Sequence, residues 1–249
     1  MGNFAYISVY HRSLAQERKG EQRYLNIKRD PRQLCEHPVR STSTGTCPPK
    51  CLCSSSDVDC KGRDLLEIPT QVPLFQGDLH LELEENNITK IPPGIFSKIK
   101  NVIVINLYNN DIEKIERDGF KGLMKLQALI LGENMIQHIP KNIFNGAVFP
   151  QLKYLSLERN TLERIESETF CNLTRLTSIK LNNNSISYIS KDAFKGLSNL
   201  TGLDLSGNLL TSAAWISGWK NPGSPKPHLD SVTLSHRWSS LAYARESLV

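Results

Sequence analysis

The sequence lacks any apolar segment long enough to cross a membrane. No run in its 249 residues approaches the roughly 18 consecutive apolar residues that a transmembrane helix requires, so we predict no membrane span. The charge is also only mildly unbalanced, with a net charge of +5 and a pI near 8.8. Lysines and arginines are interspersed with acids and form no stripe with interleaved aromatic residues, which predicts that nucleic acid is not a partner.

Motifs for catalysis and cofactor binding are missing as well. The sequence contains no H-E-x-x-H, no G-x-S-x-G, no glycine-rich phosphate loop and no EF-hand loop. Its six histidines share no catalytic spacing with a nucleophile. We therefore assign no catalytic residue, no metal site and no cofactor, and predict that the protein is not an enzyme.

No secretory signal peptide is visible at the start of the sequence. The nearest candidate, residues 4–10, is short, and it has neither a basic flank nor a small-residue cleavage site. Residues 1–46 are polar and mixed in charge, which is typical of a disordered leader or linker. Cys35 falls within this segment.

One motif occurs six times between residues 78 and 211. Each copy is a short run of alternating apolar residues that ends in asparagine, and five copies are followed ten residues later by phenylalanine. The asparagines are Asn86, Asn110, Asn134, Asn160, Asn184 and Asn208, and the phenylalanines are Phe96, Phe120, Phe144, Phe170 and Phe194. A period of about 24 residues is typical of leucine-rich repeats.

The repeat predicts an α/β-type solenoid, a right-handed superhelix with a parallel β-sheet on its concave face and an irregular or 3₁₀ convex side. In residues 126–131, Leu129 and Leu131 alternate with outward residues, as a strand requires. Coils must stack because a single repeat cannot bury such an apolar face. The asparagine side chains are predicted to form a buried ladder that satisfies backbone groups at the turn after each strand.

Four cysteines are clustered just before the repeats, at Cys47, Cys51, Cys53 and Cys60. The middle pair is spaced C-x-C and no histidine is near, so disulfides are favoured over a zinc site. A disulfide-bonded segment of residues 47–77 would cover the first coil without a core of its own.

This arrangement resembles the amino-terminal cap and repeat array of extracellular leucine-rich repeat proteins. The group includes Slit axon-guidance proteins, peroxidasin, and the ectodomains of relaxin-type and glycoprotein-hormone-type receptors. The resemblance rests on C-x₃-C-x-C-x₆-C, on Leu66-Glu67-Ile68-Pro69, and on the repeats. It implies that the first cysteine pairs with the third and the second with the fourth, which gives Cys47–Cys53 and Cys51–Cys60.

Other features bear on the cellular compartment and on the end of the array. Asn-x-Ser/Thr sequons occur at Asn87, Asn172, Asn183 and Asn199 and, with the cysteines, point to an extracellular or cell-surface glycoprotein.

We expect Cys171 to be a small buried hydrophobe. We expect residues 212–249 to form an irregular tail without the family's carboxy-terminal cysteine cap, in a chain that looks truncated, with Trp215 and Trp219 as a hypothetical lid.

The concave face is the predicted binding surface, because a solenoid presents its outward strand residues there. Acidic side chains on this face are expected to orient a partner, and aromatic or aliphatic side chains at its centre suit a protein-binding hot spot. The candidate residues are Glu82, Glu84, Tyr108, Ile130, Glu133, Tyr154, Glu158 and Lys180.

Two functions are consistent with this surface. The first is a non-enzymatic extracellular module that binds a protein or peptide ligand, or a component of the extracellular matrix. The alternative is the ectodomain fragment of a leucine-rich-repeat G-protein-coupled hormone receptor, which would transmit a signal.

Overall fold

The computed structural model of the chain describes residues 46–73, 76–211 and 232–233. Within them a parallel β-sheet is built from one short strand per coil. Its strands run from the cap to the tail: β1 (Leu52–Cys53), β2 (Asp57–Asp59), β3 (Leu79–Glu82), β5 (Val102–Asn106), β7 (Ala128–Ile130), β8 (Tyr154–Ser156), β10 (Ser178–Lys180), β12 (Gly202–Asp204) and β13 (Val232–Thr233). The strands follow that order in space, and only the β1–β2 pair is antiparallel. This sheet confirms the predicted solenoid.

The opposite side of the solenoid is made of turns, bends and short two-residue strands. These are β4 (Lys90–Ile91), β6 (Lys114–Ile115), β9 (Arg164–Ile165) and β11 (Tyr188–Ile189), which pair as β4–β6 and β9–β11. The described ranges contain no helix, whether α or 3₁₀. The convex side is therefore irregular, which is one of the two forms that the sequence predicts. Nor do these ranges hold a helix long and apolar enough to cross a membrane.

The core has a leucine side and a phenylalanine side. Inward strand residues such as Leu129 and Leu131 are fully buried. On the convex side the repeated phenylalanines stack from coil to coil, with Phe120 lying 6.0 Å from Phe96 and 5.9 Å from Phe144 between ring centroids. Phe149, an additional aromatic of the third repeat, lies 5.6 Å from Phe120. Because each ring contacts the ring of the next coil, the stack connects all five coils that carry it.

The asparagine at the end of each strand joins its own coil to the preceding one. Asn134 accepts a hydrogen bond at Oδ1 from the backbone N–H of Ile112, at 2.9 Å. Its Nδ2 lies 2.9 Å from the carbonyl oxygen of Leu107 and 3.1 Å from those of Leu131 and Gly132. The other ladder asparagines make the same set of bonds, and they are Asn86, Asn110, Asn160, Asn184 and Asn208.

Two disulfides close the cap. Cys47 is bonded to Cys53 and Cys51 to Cys60, the pairing that the resemblance implies. Strand β2 pairs in parallel with β3, which places the cap directly against the first coil. Cys60 and Val58 are fully buried in the same apolar cluster as the leucines of the repeats. The cap therefore continues the core and covers its amino-terminal end.

The expectation of an irregular tail is wrong at one point. Strand β13 pairs in parallel with β12, with Val232 opposite Leu203. The sequence Leu229-Asp-Ser-Val232-Thr-Leu234 has the same apolar spacing as Leu200-Thr-Gly-Leu203-Asp-Leu205. This similarity is easily missed because neither the ladder asparagine nor the phenylalanine follows it. The predicted lid of Trp215 and Trp219, residues 1–45 and Cys35 lie outside the described residues, and the proposed limits of the domains stay predictions.

Candidate functional site

The parallel register arranges the outward side chains of the sheet in columns. Residues at the same position of successive strands lie side by side, and residues two apart in one strand point to the same face. The first column contains Glu82, Asn106, Ile130, Ser156, Lys180 and Asp204. The second column lies two residues further along each strand and contains Glu84, Tyr108, Gly132, Glu158, Asn182 and Ser206. These columns define the candidate binding face.

Negative charge is concentrated at the amino-terminal end of this face. The side-chain nitrogen of Asn106 donates hydrogen bonds to Glu82 and to Glu84, both at 2.8 Å. Burial raises the pKa of Glu82 to about 7, and the charges of Glu84, Asp59 and Asp57 add to the rise against the hydrogen bond from Asn106. A carboxyl group on the candidate face therefore changes its charge near neutral pH.

The neighbouring groups of this acidic end are also paired. Lys61 forms ion pairs with Glu84 at 2.7 Å and with Glu85 at 3.1 Å. The Nδ1 atom of His80 lies 3.1 Å from Asp57 Oδ1. Burial alone would raise the pKa of Asp57, but hydrogen bonds from serine hydroxyls and the contact with His80 outweigh it and lower the pKa. Lys61 thus offsets part of the negative charge, while Glu82 has no cation among these contacts.

Replacing Glu82 by glutamine tests this assignment. The pKa of Glu82 is about 7 in the folded protein, against an ordinary value of 4.5 for a glutamate, so between these two pH values the folded state keeps the proton while the unfolded chain loses it. The wild type should lose stability as the pH rises from about 4.5 to about 7, by roughly 1–3 kcal/mol from this group. The Glu82→Gln variant should lack this loss, and urea unfolding at pH 4.5 and pH 8 measures the difference.

The exposed Glu113→Gln variant is the matched control, because Glu113 carries the same charge on the convex side. This variant keeps Glu82, so the loss of stability between pH 4.5 and pH 8 should persist in it. An equal pH dependence in Glu82→Gln and wild type would contradict the assignment.

The centre of the face is more covered than the sequence indicates. Ile130 exposes 9% of its surface and Tyr154 only 7%, so little of either side chain is open to a partner, and their role in ligand binding stays a prediction. The pKa of Tyr154 is raised by this burial and by the charge of Glu158. Tyr108, which is half-buried, is the aromatic side chain that the centre presents.

Gly132 leaves space on the sheet for the ring of Tyr108. A Cβ atom at Gly132, the next residue in its column, would lie 3.2 Å from Cδ2 of Tyr108 and 3.0 Å from Cγ of Glu158. Because Gly132 has no side chain, Tyr108 and Glu158 occupy the space on either side of it. The two side chains therefore form one surface across three coils.

In the carboxy-terminal half of the face, acidic and basic side chains form ion pairs. Glu158 pairs with Lys180 at 3.4 Å and Glu133 pairs with Arg159 at 2.7 Å. These two acids are therefore balanced locally by neighbouring cations. The unbalanced negative charge lies at Glu82.

The remaining sequence candidates lie around this face. All four sequon asparagines, Asn87, Asn172, Asn183 and Asn199, are exposed, as glycan attachment requires, and glycosylation stays a prediction. Cys171 carries a free thiol and is only half-buried, so it is more open than predicted. Burial, followed by the charge of Glu168, raises the pKa of this thiol. No group of three or more metal-ligating side chains occurs among the described residues.

A curved parallel sheet, an asparagine ladder and a disulfide-bonded cap together define a leucine-rich repeat solenoid. The profile of the leucine-rich repeat family matches residues 80–136, 125–186 and 150–210. The chain belongs to this family.

Comparison with known proteins identifies several relatives. The chain is 42% identical over 116 residues to human (Homo sapiens) leucine-rich repeat-containing protein 3B, covering 45% of this chain and 42% of that protein. It is 32% identical over 116 residues to mouse (Mus musculus) podocan, covering 45% of this chain and 19% of that protein. The solved structure of TLR13 in complex with ssRNA13 is 31% identical, covers 57% of this chain and 20% of that chain, and has a TM-score of 0.53. The chain thus spans less than half of the length of each of these proteins.

Proposed function

We propose that the protein is a non-enzymatic, extracellular recognition module whose concave face binds a protein or peptide ligand. The observation that carries the proposal is the surface formed by Tyr108, Gly132 and Glu158, beside the acidic group of Glu82 and Glu84. An aromatic side chain next to charged groups on a rigid sheet is typical of a protein-binding hot spot. Membership of the leucine-rich repeat family supports a binding role.

The disulfides support an extracellular location. Two bonds close the cap, and structural disulfides persist in oxidising compartments and are rare in the cytosol. The ligand is expected to approach the amino-terminal four coils, because there the concave face offers Tyr108 and unbalanced acidic charge. The hormone-receptor alternative stays a prediction. Seven apolar segments encoded downstream of this sequence would support it, and their absence would contradict it.

Replacing Tyr108 by alanine tests the concave face directly. The secreted chain is used to probe an array of cell-surface and matrix ectodomains, and the dissociation constant of each captured partner is measured. Tyr108→Ala should weaken binding by more than about 1 kcal/mol, or at least about fivefold, because it removes the central aromatic contact.

The matched control is Tyr188→Ala, since Tyr188 is a tyrosine of the convex side that is 41% exposed. Its ring is stacked by Arg164 at 4.1 Å and lies away from the concave sheet. Partners should retain their affinity for this variant. A partner that is weakened equally by both substitutions, or only by Tyr188→Ala, would rule out the concave face as its binding site.

A further inference from the structure

A second surface of the repeats is basic, and the sequence does not reveal it. It is made of the segments that lead from each convex phenylalanine back to the concave strand, and we call it the basic flank. It comprises residues 97–101, 121–127, 145–153, 171–177 and 195–201. These segments contain seven lysines and arginines and no aspartate or glutamate: Lys98, Lys100, Lys121, Lys125, Lys153, Arg175 and Lys195.

Contacts between coils hold these segments side by side. Lys125 Nζ donates a hydrogen bond to Asn101 Oδ1 at 2.9 Å, and Arg175 donates one to Gln151 Oε1 at 2.7 Å. Each bond joins two neighbouring coils. In both contacts the cation bonds to a neutral amide, so its charge is not cancelled. Coils separated by about 4.8 Å place the five segments along a line of about 19 Å. The fold therefore places on one surface basic residues that are far apart in the sequence.

Between residues 97 and 201 the acids lie outside the flank, and the exposed Asp78 lies beside Asn101 at the amino-terminal end of the flank. The other acids of the repeats are on the concave face, as at Glu82 and Glu158, or on the convex segments that follow each ladder asparagine, as at Glu113 and Glu166. The lysines at 98, 100, 121 and 125 are all exposed. A linear array of exposed cations without interspersed acids creates a positive potential that attracts a polyanion.

We propose that the basic flank binds a sulfated polysaccharide chain. The cap disulfides place the protein in an oxidising compartment, where sulfated polysaccharides are the abundant linear polyanions. The only aromatic residue in the flank segments is Phe149, which is buried, so the flank offers no ring on which a nucleic-acid base could stack. Its one exposed large apolar side chain, Met124, is too little to insert into a lipid surface. The flank is separate from the concave face, so both partners can bind together.

Heparin affinity of the secreted full-length chain tests the proposal. The variant Lys98→Gln, Lys100→Gln, Lys121→Gln, Lys125→Gln removes four charges from the flank. Its dissociation constant for heparin at about 0.15 M salt should rise about tenfold or more, and the dependence of affinity on salt should become less steep, because fewer counterions are released. Desulfated heparin should bind weakly to both proteins.

The control removes the same number of charges from exposed lysines of the convex side, in the variant Lys90→Gln, Lys114→Gln, Lys141→Gln, Lys191→Gln. Its affinity should stay within about twofold of the wild type, although its net charge equals that of the flank variant. The two lysine pairs of the flank are also replaced separately, with circular dichroism as a check of folding, and each pair should give part of the loss.

Three results would overturn the proposal. The first is an equal loss of affinity in the flank and convex variants, which would mean general attraction by net charge. The second is a wild-type chain that does not bind heparin at about 0.15 M salt. The third is tighter binding to single-stranded RNA of equal charge, or to phosphatidylserine vesicles, than to heparin, which would assign the flank to another polyanion. Because the Tyr108→Ala experiment measures the concave face, either proposal can fail alone.

Discussion

Replacing Phe120 by alanine is expected to lower the free energy of unfolding by about 3–5 kcal/mol, the usual cost of removing a buried phenylalanine. Phe120 is 1% exposed and its ring contacts those of Phe96, Phe144 and Phe149, with centroids 5.6–6.0 Å away. The substitution therefore opens a cavity between three coils, and the coils are held only by their neighbours, as in other solenoids. Equilibrium unfolding in urea measures the change.

The control for this prediction is Met124→Ala, four residues further along the same coil. Met124 is 53% exposed, so its truncation should change the free energy of unfolding by less than about 0.5 kcal/mol. A Phe120→Ala variant that unfolds at the same urea concentration as Met124→Ala would show that the phenylalanine stack does not hold the convex side together.

Replacing Asn134 by alanine is expected to cost about 1–3 kcal/mol. The side chain is 7% exposed. Its removal leaves the Ile112 N–H without its partner at the buried turn, and leaves the Leu107 carbonyl only the longer bond from Asn110, at 3.2 Å. Buried polar groups without a hydrogen bond are penalised by this amount. Asn134→Asp should be at least as destabilising, because it keeps the acceptor, loses the donor and places a negative charge beside carbonyl oxygens. Urea unfolding of both variants measures the effect.

Gln137→Ala supplies the comparison for the ladder, since Gln137 is an exposed amide of the same coil. Its Nε2 donates to Glu163 at 2.8 Å in an exposed contact, and water can replace that bond. Its removal should change the free energy of unfolding by less than about 0.5 kcal/mol. If Asn134→Ala were as mild as Gln137→Ala, the buried ladder would not be a source of stability.

The repeat period accounts for how well the fold could be predicted. The spacing of Leu129 and Leu131 fixes which strand side chains point inward, and the phase of Asn134 fixes where the chain turns. These are local properties, and they recur in every coil, so an error in one repeat is corrected by the others. The same reasoning failed for β13, where the apolar spacing of Leu229, Val232 and Leu234 recurs without asparagine or phenylalanine.

The candidate site was only partly predictable. The sequence identified positions on the concave side, and the two columns contain six of the eight candidates, all but Glu133 and Tyr154. It did not show that Ile130 and Tyr154 are covered, because exposure depends on the packing of side chains from different coils. Nor did it show that Glu158 is paired with Lys180, a residue 22 positions further along the chain. Such pairs depend on the register between coils.

The sequence alone determined the periodic features of this protein: the stacked coils, the inward leucines, the asparagine ladder and, through the family resemblance, the pairing of the cap cysteines. The first three follow from a side chain's position within its own repeat. Only the tertiary structure decided which charges are neighbours. It joined Asn106 to two glutamates on the concave face and gathered Lys98, Lys121 and Arg175 on the basic flank. The physical reason is that electrostatic interactions depend on distance between coils, and stacking brings together residues that are about 24 positions apart in the sequence.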